Sequence, residues 1–271
     1  MSLYTERLIL RPWEESDAED LYNYAKDPDV GPIAGWQPHN SIEESREIIK
    51  NVFCGAEAYA VCLKSDNKAI GAIELMLEGK NHISDKADEC ELGYWIGKPF
   101  WGQGIIPEAA RELLRHAFAD LGMSKVWCGY YDGNNKSKRV QEKVGFTYQY
   151  TNEDVDVPLM GEKRTEHISC ITKGEWMENK MIKVEVKYIL KPGQRDAFYN
   201  AIIAQGIDKA AQNEDGNIKY EFDIPEEKDI LYLHELWRDN AALTAHSQMP
   251  HYKALGVLKE KYVIETVIDK E

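Results

Sequence analysis

Between Glu91 and Ala109 a strand-like run, a glycine loop and the start of a helix follow one another without a break: Glu91-Leu92-Gly93-Tyr94-Trp95-Ile96-Gly97-Lys98-Pro99-Phe100-Trp101-Gly102-Gln103-Gly104-Ile105-Ile106-Pro107-Glu108-Ala109. No other stretch restricts the fold as much. Glycines let the backbone approach an anion closely and turn several N–H groups the same way, and the helix N-terminus adds a partial positive charge. The segment therefore reads as a phosphate cradle that needs no lysine. Pro107 is expected at the first helical position, and the apolar residues Ala110, Leu113, Leu114, Ala117, Phe118 and Leu121 recur at helical spacing up to Gly122.

Around this segment the sequence alternates strand and helix signals. Thr5 to Arg11 reads as a strand, and Ser16 to Lys26 and Ser41 to Val52 read as helices. Ala58 to Lys64, Ala69 to Leu77 and Glu89 to Ile96 predict a three-stranded antiparallel meander. A strand at Lys125 to Tyr131, a turn at Asp132-Gly133-Asn134 and a helix at Lys136 to Val144 stopped by Gly145 follow.

At 271 residues the chain suits two modest cores. The polar, aperiodic stretch from Gly174 to Lys180 precedes a strand-like alternation from Ile182, so the expected division is a domain over 1–176, a linker over 177–180 and a domain over 181–271. The net charge of -14 is spread over both parts and opposes binding to nucleic acid. Five cysteines without CxxC spacing suggest reduced thiols in a cytoplasmic protein, and no metal site is expected. No apolar run is long enough to span a bilayer, and the N-terminus has no signal-peptide pattern.

The glycine segment resembles motif A of the GNAT superfamily, in which a Gln/Arg-x-x-Gly-x-Gly/Ala loop binds the CoA pyrophosphate and the preceding strand hydrogen-bonds the pantetheine arm. Trp101, Gly102, Gln103, Gly104, Ile105 and Ile106 align with the loop; Trp101 departs from its Gln/Arg position and Ile106 from its final small residue. Tyr94, Trp95 and Ile96 take the strand's place. Asn134-Asn135-Lys136-Ser137 through Glu142-Lys143-Val144-Gly145-Phe146 resembles a second family segment, and the branch is similar to the ribosomal-protein N-terminal acetyltransferases. The resemblance covers about residues 3–176 and implies a mixed α+β fold, acetyl-CoA as donor and direct acetyl transfer to a small-molecule or peptide amine. Asn134 would then hold the pantetheine arm, Ser137 would protonate the departing thiolate, and Glu91 is the candidate base, with Glu74 and Tyr131 as fallbacks. For Asn134 and Ser137 the rival is helix capping; for Glu91 it is a structural carboxylate. Residues 27–45, with Trp36 and His39, are the expected acceptor-binding region.

From Met181 the order is βαββαβ-like, which suggests a ferredoxin-like α+β fold. Glu214-Asp215-Gly216, Tyr220, Glu235-Leu236-Trp237, His246 and Pro250-His251 resemble the antibiotic biosynthesis monooxygenase (ABM) family, whose members form dimeric α/β barrels and include cofactor-independent quinol oxygenases. Trp237, His246 and His251 are then candidates to line a pocket for an aromatic substrate, their rival being structural roles. Haem degradation is disfavoured, because the first strand carries charged or apolar residues around Lys187 where that branch uses Asn. No cofactor is expected in this domain. Apolar residues on both faces of its sheet predict a homodimer. Non-catalytic alternatives are a dimerisation or small-ligand-sensing role for the second domain, or a whole chain that binds CoA or a small molecule without turnover.

Overall fold

The computed structural model describes residues 1–270, and the chain divides into a unit over Met1–Trp176 and a second unit from Met177 onward. In the first unit the strands are β1 (Leu3–Tyr4), β2 (Leu8–Pro12), β3 (Ala58–Leu63), β4 (Ala69–Met76), β5 (Glu89–Ile96), β6 (Lys125–Tyr131), β7 (Thr147–Val157) and β8 (Glu162–Thr172). They form one sheet in the order β1-β2-β3-β4-β5-β6-β8-β7. All neighbours pair antiparallel except β5 with β6. A parallel pair needs a crossover. Of the helices α1 (Ala18–Ala25), α2 (Gly31–Ala34), α3 (Ile42–Asn51), α4 (Ile105–Arg115) and α5 (Asn135–Val144), it is α4 that supplies it.

The β5–β6 pairing is short. Glu89, Cys90 and Glu91 face Lys125, Val126 and Trp127, and no further pair forms, although the strands run on to Ile96 and Tyr131. The sheet opens there as a wedge, with Glu91 and Trp127 at its apex. One face of the sheet packs on α4 through Ile105, Ala109, Leu113, Leu114 and Phe118, all buried against Ile73, Leu92 and Val126. The other packs on α1 and α3 through Leu21, Ala25 and Ile49.

Helix α4 begins earlier than the proline signal predicts. Gly104, in the left-handed region at φ +73°, is its N-cap, and Pro107 occupies its third position, where a helix needs no N–H donor either. The last turn, His116–Asp120, widens into a π-helix, a feature that apolar periodicity does not reveal. Ile182 is preceded by a helix, α6 (Lys173–Glu178), where the sequence suggests an aperiodic linker.

The second unit is a four-stranded antiparallel sheet of β9 (Ile182–Leu190), β10 (Asn217–Asp223), β11 (Ile230–Trp237) and β12 (Val263–Lys270), ordered β10-β11-β9-β12. Its helices are α7 (Arg195–Ala204), α8 (Ile207–Gln212), α9 (Asn240–His246) and α10 (Pro250–Tyr262). Where a βαββαβ order calls for one helix between the first two strands there are two, broken at Gly206, whose φ of +65° no continuing helix adopts. Val184, Val186, Tyr188, Leu231, Leu233 and Trp237 line the core face with Phe198 and Ile202. On the opposite face β11 offers half-buried Ile230, Tyr232 and Leu236, while β9 offers the charged Lys183, Glu185 and Lys187. That face is apolar along one strand and charged along its neighbour.

Candidate functional site

The glycine loop opens a cleft of about 250 Å³ between β5, the start of α4 and α5. Gly102 and Gly104 have φ of +76° and +73°; a Cβ on Gly102 would meet nothing within 4 Å, and one on Gly104 only Arg7 Nη2 at 3.8 Å. The backbone conformation therefore demands glycine, and the space beside it is open. The loop is held from outside: Arg7 Nε donates to Glu108 Oε2 (2.6 Å), its backbone N–H to Glu108 Oε1 (2.8 Å), and Arg7 Nη1 to the Gln103 carbonyl (3.1 Å). Sequence reasoning overlooked this clamp, whose signal is a lone Arg before the first long strand and a Glu in the first turn of the loop's helix.

Trp95, Ile96, Trp101, Gly102, Gly104, Ile105, Ile106, Asn134 and Ser137 line this cleft together with Tyr94; Gln103 does not, its amide donating instead to the Pro99 carbonyl (2.7 Å). Trp101 donates from Nε1 to the Ile96 carbonyl (3.0 Å), and Lys136 Nζ lies 3.4 Å over its ring centre. A cation thus stands on the residue that replaces the family's Gln or Arg. A cleft with open backbone at a helix start, a cation beside it and an unpaired strand edge fits a pyrophosphate with an extended arm.

Asn134 is the N-cap of α5, its Oδ1 accepting from Ser137 N–H (3.1 Å). Capping and cleft lining coexist in this residue. Ser137 Oγ and the Tyr94 hydroxyl are 2.8 Å apart, and Tyr94 also donates to the Ser137 carbonyl (3.2 Å). Burial holds the Tyr94 phenol well above its ordinary pKa, so it stays protonated. With the Tyr94 hydrogen directed at that carbonyl, the Ser137 hydroxyl can donate elsewhere.

Glu91 projects from the other face of the sheet, the face shared by Trp95, Trp127 and Tyr131. Burial, with Glu166 and Glu74 close by, pushes its carboxyl up to about 8. A general base is most effective with a pKa near the working pH. Glu74 and Tyr131 share the face, and burial raises both their pKa values. Glu166, on β8, was missed from the sequence: only the β6–β8 register places it opposite Tyr131. Within 27–45, Trp36 packs edge-on against Trp95, centroids 5.7 Å apart, and His39 Nδ1 lies 2.8 Å from Ser45 Oγ. Burial lowers the His39 pKa.

In the second unit a cavity of about 340 Å³ lies between the sheet and α9–α10. Of Trp237, His246 and His251, only His246 lines it. Trp237 is fully buried in the core, its indole N–H donating to Glu235 Oε2 (2.7 Å). His251 is drawn aside to Glu214. Glu214 Oε1 lies 2.6 Å from His246 Nδ1 and 2.5 Å from His251 Nε2. A carboxylate at Nδ1 selects the tautomer with hydrogen there and leaves Nε2 as a lone pair; Nε2 of His246 is buried and has no hydrogen bond. Glu235 lines the same cavity, and burial raises its carboxyl pKa. Glu214, His246 and His251 bring three potential ligand atoms within 4.8 Å of one another, but both imidazoles already converge on a single oxygen.

The description "Acetyltransferase (GNAT) domain" matches residues 7–147, and "Antibiotic biosynthesis monooxygenase" matches residues 181–256. The chain is 27% identical over 150 residues to the "Uncharacterized N-acetyltransferase p20" of Bacillus licheniformis, covering 54% of this chain and 82% of that protein. It is 40% identical over 72 residues to the "Putative ribosomal N-acetyltransferase YdaF" of Bacillus subtilis (strain 168), covering 27% of this chain but only 38% of that one. The crystal structure of a GNAT-family acetyltransferase from Bacillus anthracis superposes with a TM-score of 0.56 at 24% identity, over 64% of this chain and 99% of that one, a likeness of fold.

Proposed function

The chain belongs to the GNAT acetyltransferase family and carries an ABM domain after it, and from that premise we propose that its first unit transfers the acetyl group of acetyl-CoA directly to an amine, on a small molecule or a peptide. The observation that carries this reading is the coincidence of three features: glycines with open space above them, a helix start, and a strand edge left unpaired beside them. Acetyl-CoA supplies an activated acetyl thioester. Backbone N–H groups at Gly102 to Ile106 and Lys136 hold the pyrophosphate, and the free edges of β5 and β6 receive the arm. Glu91 takes the proton the amine sheds as the C–N bond forms, and Ser137, with its carbonyl engaged by Tyr94, offers a proton to the thiolate as the C–S bond breaks.

The test is calorimetry with acetyl-CoA followed by thiol release against a panel of amines. Gly104→Asp sets a side chain into the left-handed N-cap and a carboxylate against the pyrophosphate. Binding is expected to be lost in the folded variant, and unchanged affinity would remove this loop from the reading.

For the second unit the reading is a cofactor-independent oxygenase acting on a hydroquinone-like substrate. It rests on a buried imidazole Nε2 and a raised carboxyl beside one cavity. His246 would remove the phenolic proton, oriented by Glu214 as a carboxylate orients an imidazole in other enzymes. Half-buried Ile230, Tyr232 and Leu236 on the outer face of β11 support a homodimer. Free cysteines, four of them buried, fit a reducing, cytoplasmic setting. Among the described residues no helix is long and apolar enough to cross a membrane.

A further inference from the structure

We propose that the acetyl acceptor is a small linear amine carrying two or more ammonium groups, received by Glu74, Glu91 and Glu166 where β5 parts from β6. The proposal rests on the acetyltransferase reading and narrows its substrate. Residues paired across neighbouring strands project to one face, and Glu74 faces Gly93, Met76 faces Glu91, Glu91 faces Trp127 and Tyr131 faces Glu166. The three carboxylates therefore share a face, on three strands around the wedge. Gly93 and Gly129 leave room beneath them: a Cβ on Gly93 would lie 3.6 Å from Glu74 Oε1, and one on Gly129 only 2.6 Å from Glu166 Oε1. Two carboxylates overhang the glycines that flank the opening, and the third stands at its apex.

Glu89 supplies the internal comparison. It lies two residues from Glu91 on the same strand and face and is equally buried, 3% against 5% exposed. Against that burial, hydrogen bonds from Ser84, Trp127 and Lys86 hold its carboxyl down to about 2. For Glu91 the fold provides no such set. Only the His82 backbone N–H eases it; its Oε2 is buried without a hydrogen bond, and Nδ1 of the largely exposed His82 imidazole, a counter-charge only when protonated, stands 3.2 Å from that oxygen. Glu166 is 8% exposed, and neither it nor Glu74 makes a hydrogen bond or salt bridge among the described residues. Lys80 and His82 act on them only at longer range.

Buried carboxylates without a fixed counter-charge are costly, and among the described residues these three have only the titratable His82 imidazole beside Glu91 and longer-range help from Lys80 and His82. A ligand with two ammonium groups supplies what is missing: one amine gives up its proton to Glu91 and reacts, while the other stays charged against Glu166 or Glu74. Lys125 and Arg164 already lie over the rings of Trp127 and Tyr131, at 4.7 and 5.2 Å from their centroids, so the aromatic contribution to a ligand falls to Trp95 and to packing of methylene stems. Glu91 and Glu166 are only 5% and 8% exposed, which favours a thin alkyl chain over a protein N-terminus as what reaches them. Burial also raises all three carboxyls, so a dication that ionises them releases protons as it binds.

The test measures kcat/KM at saturating acetyl-CoA for alkane monoamines, α,ω-diamines of the same length, a linear triamine and a lysine-rich peptide. Diamines are expected to exceed monoamines by at least about 30-fold, the lower end for completing a buried charge pair, and Glu166→Gln is expected to cut that ratio at least tenfold, through KM. Calorimetry of a diamine on the CoA-saturated wild type, in buffers of different ionisation enthalpy, should register proton release; this keeps the proposal testable should the variant not fold. Equal kcat/KM for monoamines and diamines, or no proton release, overturns the proposal while acetyl-CoA binding still upholds the acetyltransferase reading. Absence of acetyl-CoA binding overturns both. A peptide preferred over diamines overturns the small-amine assignment in favour of a basic peptide.

Discussion

Replacing Glu91 by Gln should change how the stability of the first unit depends on pH. In the folded chain burial, reinforced by Glu166 and Glu74, lifts the Glu91 carboxyl from 4.5 to about 8, so the folded state binds a proton that the unfolded state has released. A raised carboxyl contributes its full stability below the unfolded value near 4.5 and loses it as pH rises through about 8. At about 1.4 kcal/mol for each pH unit, the loss between those limits is at most about 5 kcal/mol. Gln keeps the shape and has no proton to lose. Urea unfolding of wild type and Glu91→Gln from pH 5 to 9 measures the difference, and contributions from the second unit cancel in it. The variant should gain on the wild type steadily, by several kcal/mol at pH 9. Stability curves that stay parallel within about 0.5 kcal/mol, the scatter of an ordinary surface substitution, would refute the argument that burial outweighs His82 at Glu91.

Ser137→Ala should lower kcat more than it weakens acetyl-CoA binding, because a proton donor to the thiolate matters chiefly as the C–S bond breaks; equal losses in both, by single-turnover kinetics and calorimetry, would assign it to binding or capping. Residues 181–271, expressed alone, should form a folded dimer by light scattering at micromolar concentration, since the outer face of β11 keeps Ile230, Tyr232 and Leu236 only half-buried. A soluble monomer would show that the charged Lys183, Glu185 and Lys187 beside them suffice to solvate that face.

Much of the fold was legible because each local signal agreed with its surroundings. The β3–β5 meander lies within one residue of the alternation that predicts it, and Gly145, at φ +93°, ends α5 as a left-handed C-cap should. Where the sequence misled, a rule of thumb met a competing local preference. Pro107 suggests a first helical position, but Gly104 caps α4 three residues earlier. The run 195–212 keeps its apolar spacing across Gly206, which nevertheless breaks it. Of the carboxylate face, Glu91 and Glu74 were legible singly as candidate bases, whereas Glu166 and the grouping of the three were not. Glu74, Glu91 and Glu166 are far apart in sequence, and they meet through one parallel and two antiparallel registers that no local pattern encodes.

The same distinction governs the second unit, where the histidines were legible as residue types and their roles were not. Gly216 explains why. Its φ is +89°, and a Cβ there would come 2.5 Å from that of Ala242, so only glycine lets the turn after Glu214 close against α9. That close approach brings Glu214 to His246, the last residue of α9, and to His251, in the first turn of α10. One carboxylate thus fixes two rings and two helix ends. Having spent its Nε2 on that oxygen, His251 contributes position rather than chemistry to the cavity. His246 gives up Nδ1 and keeps Nε2, beside a cavity that Glu235, Tyr188, Tyr220, Tyr252 and Lys259 also line. A Glu-x-Gly pair ahead of a strand, with two histidines further along the chain, is therefore better read as a scaffold that aims one of them than as a row of equivalent pocket residues.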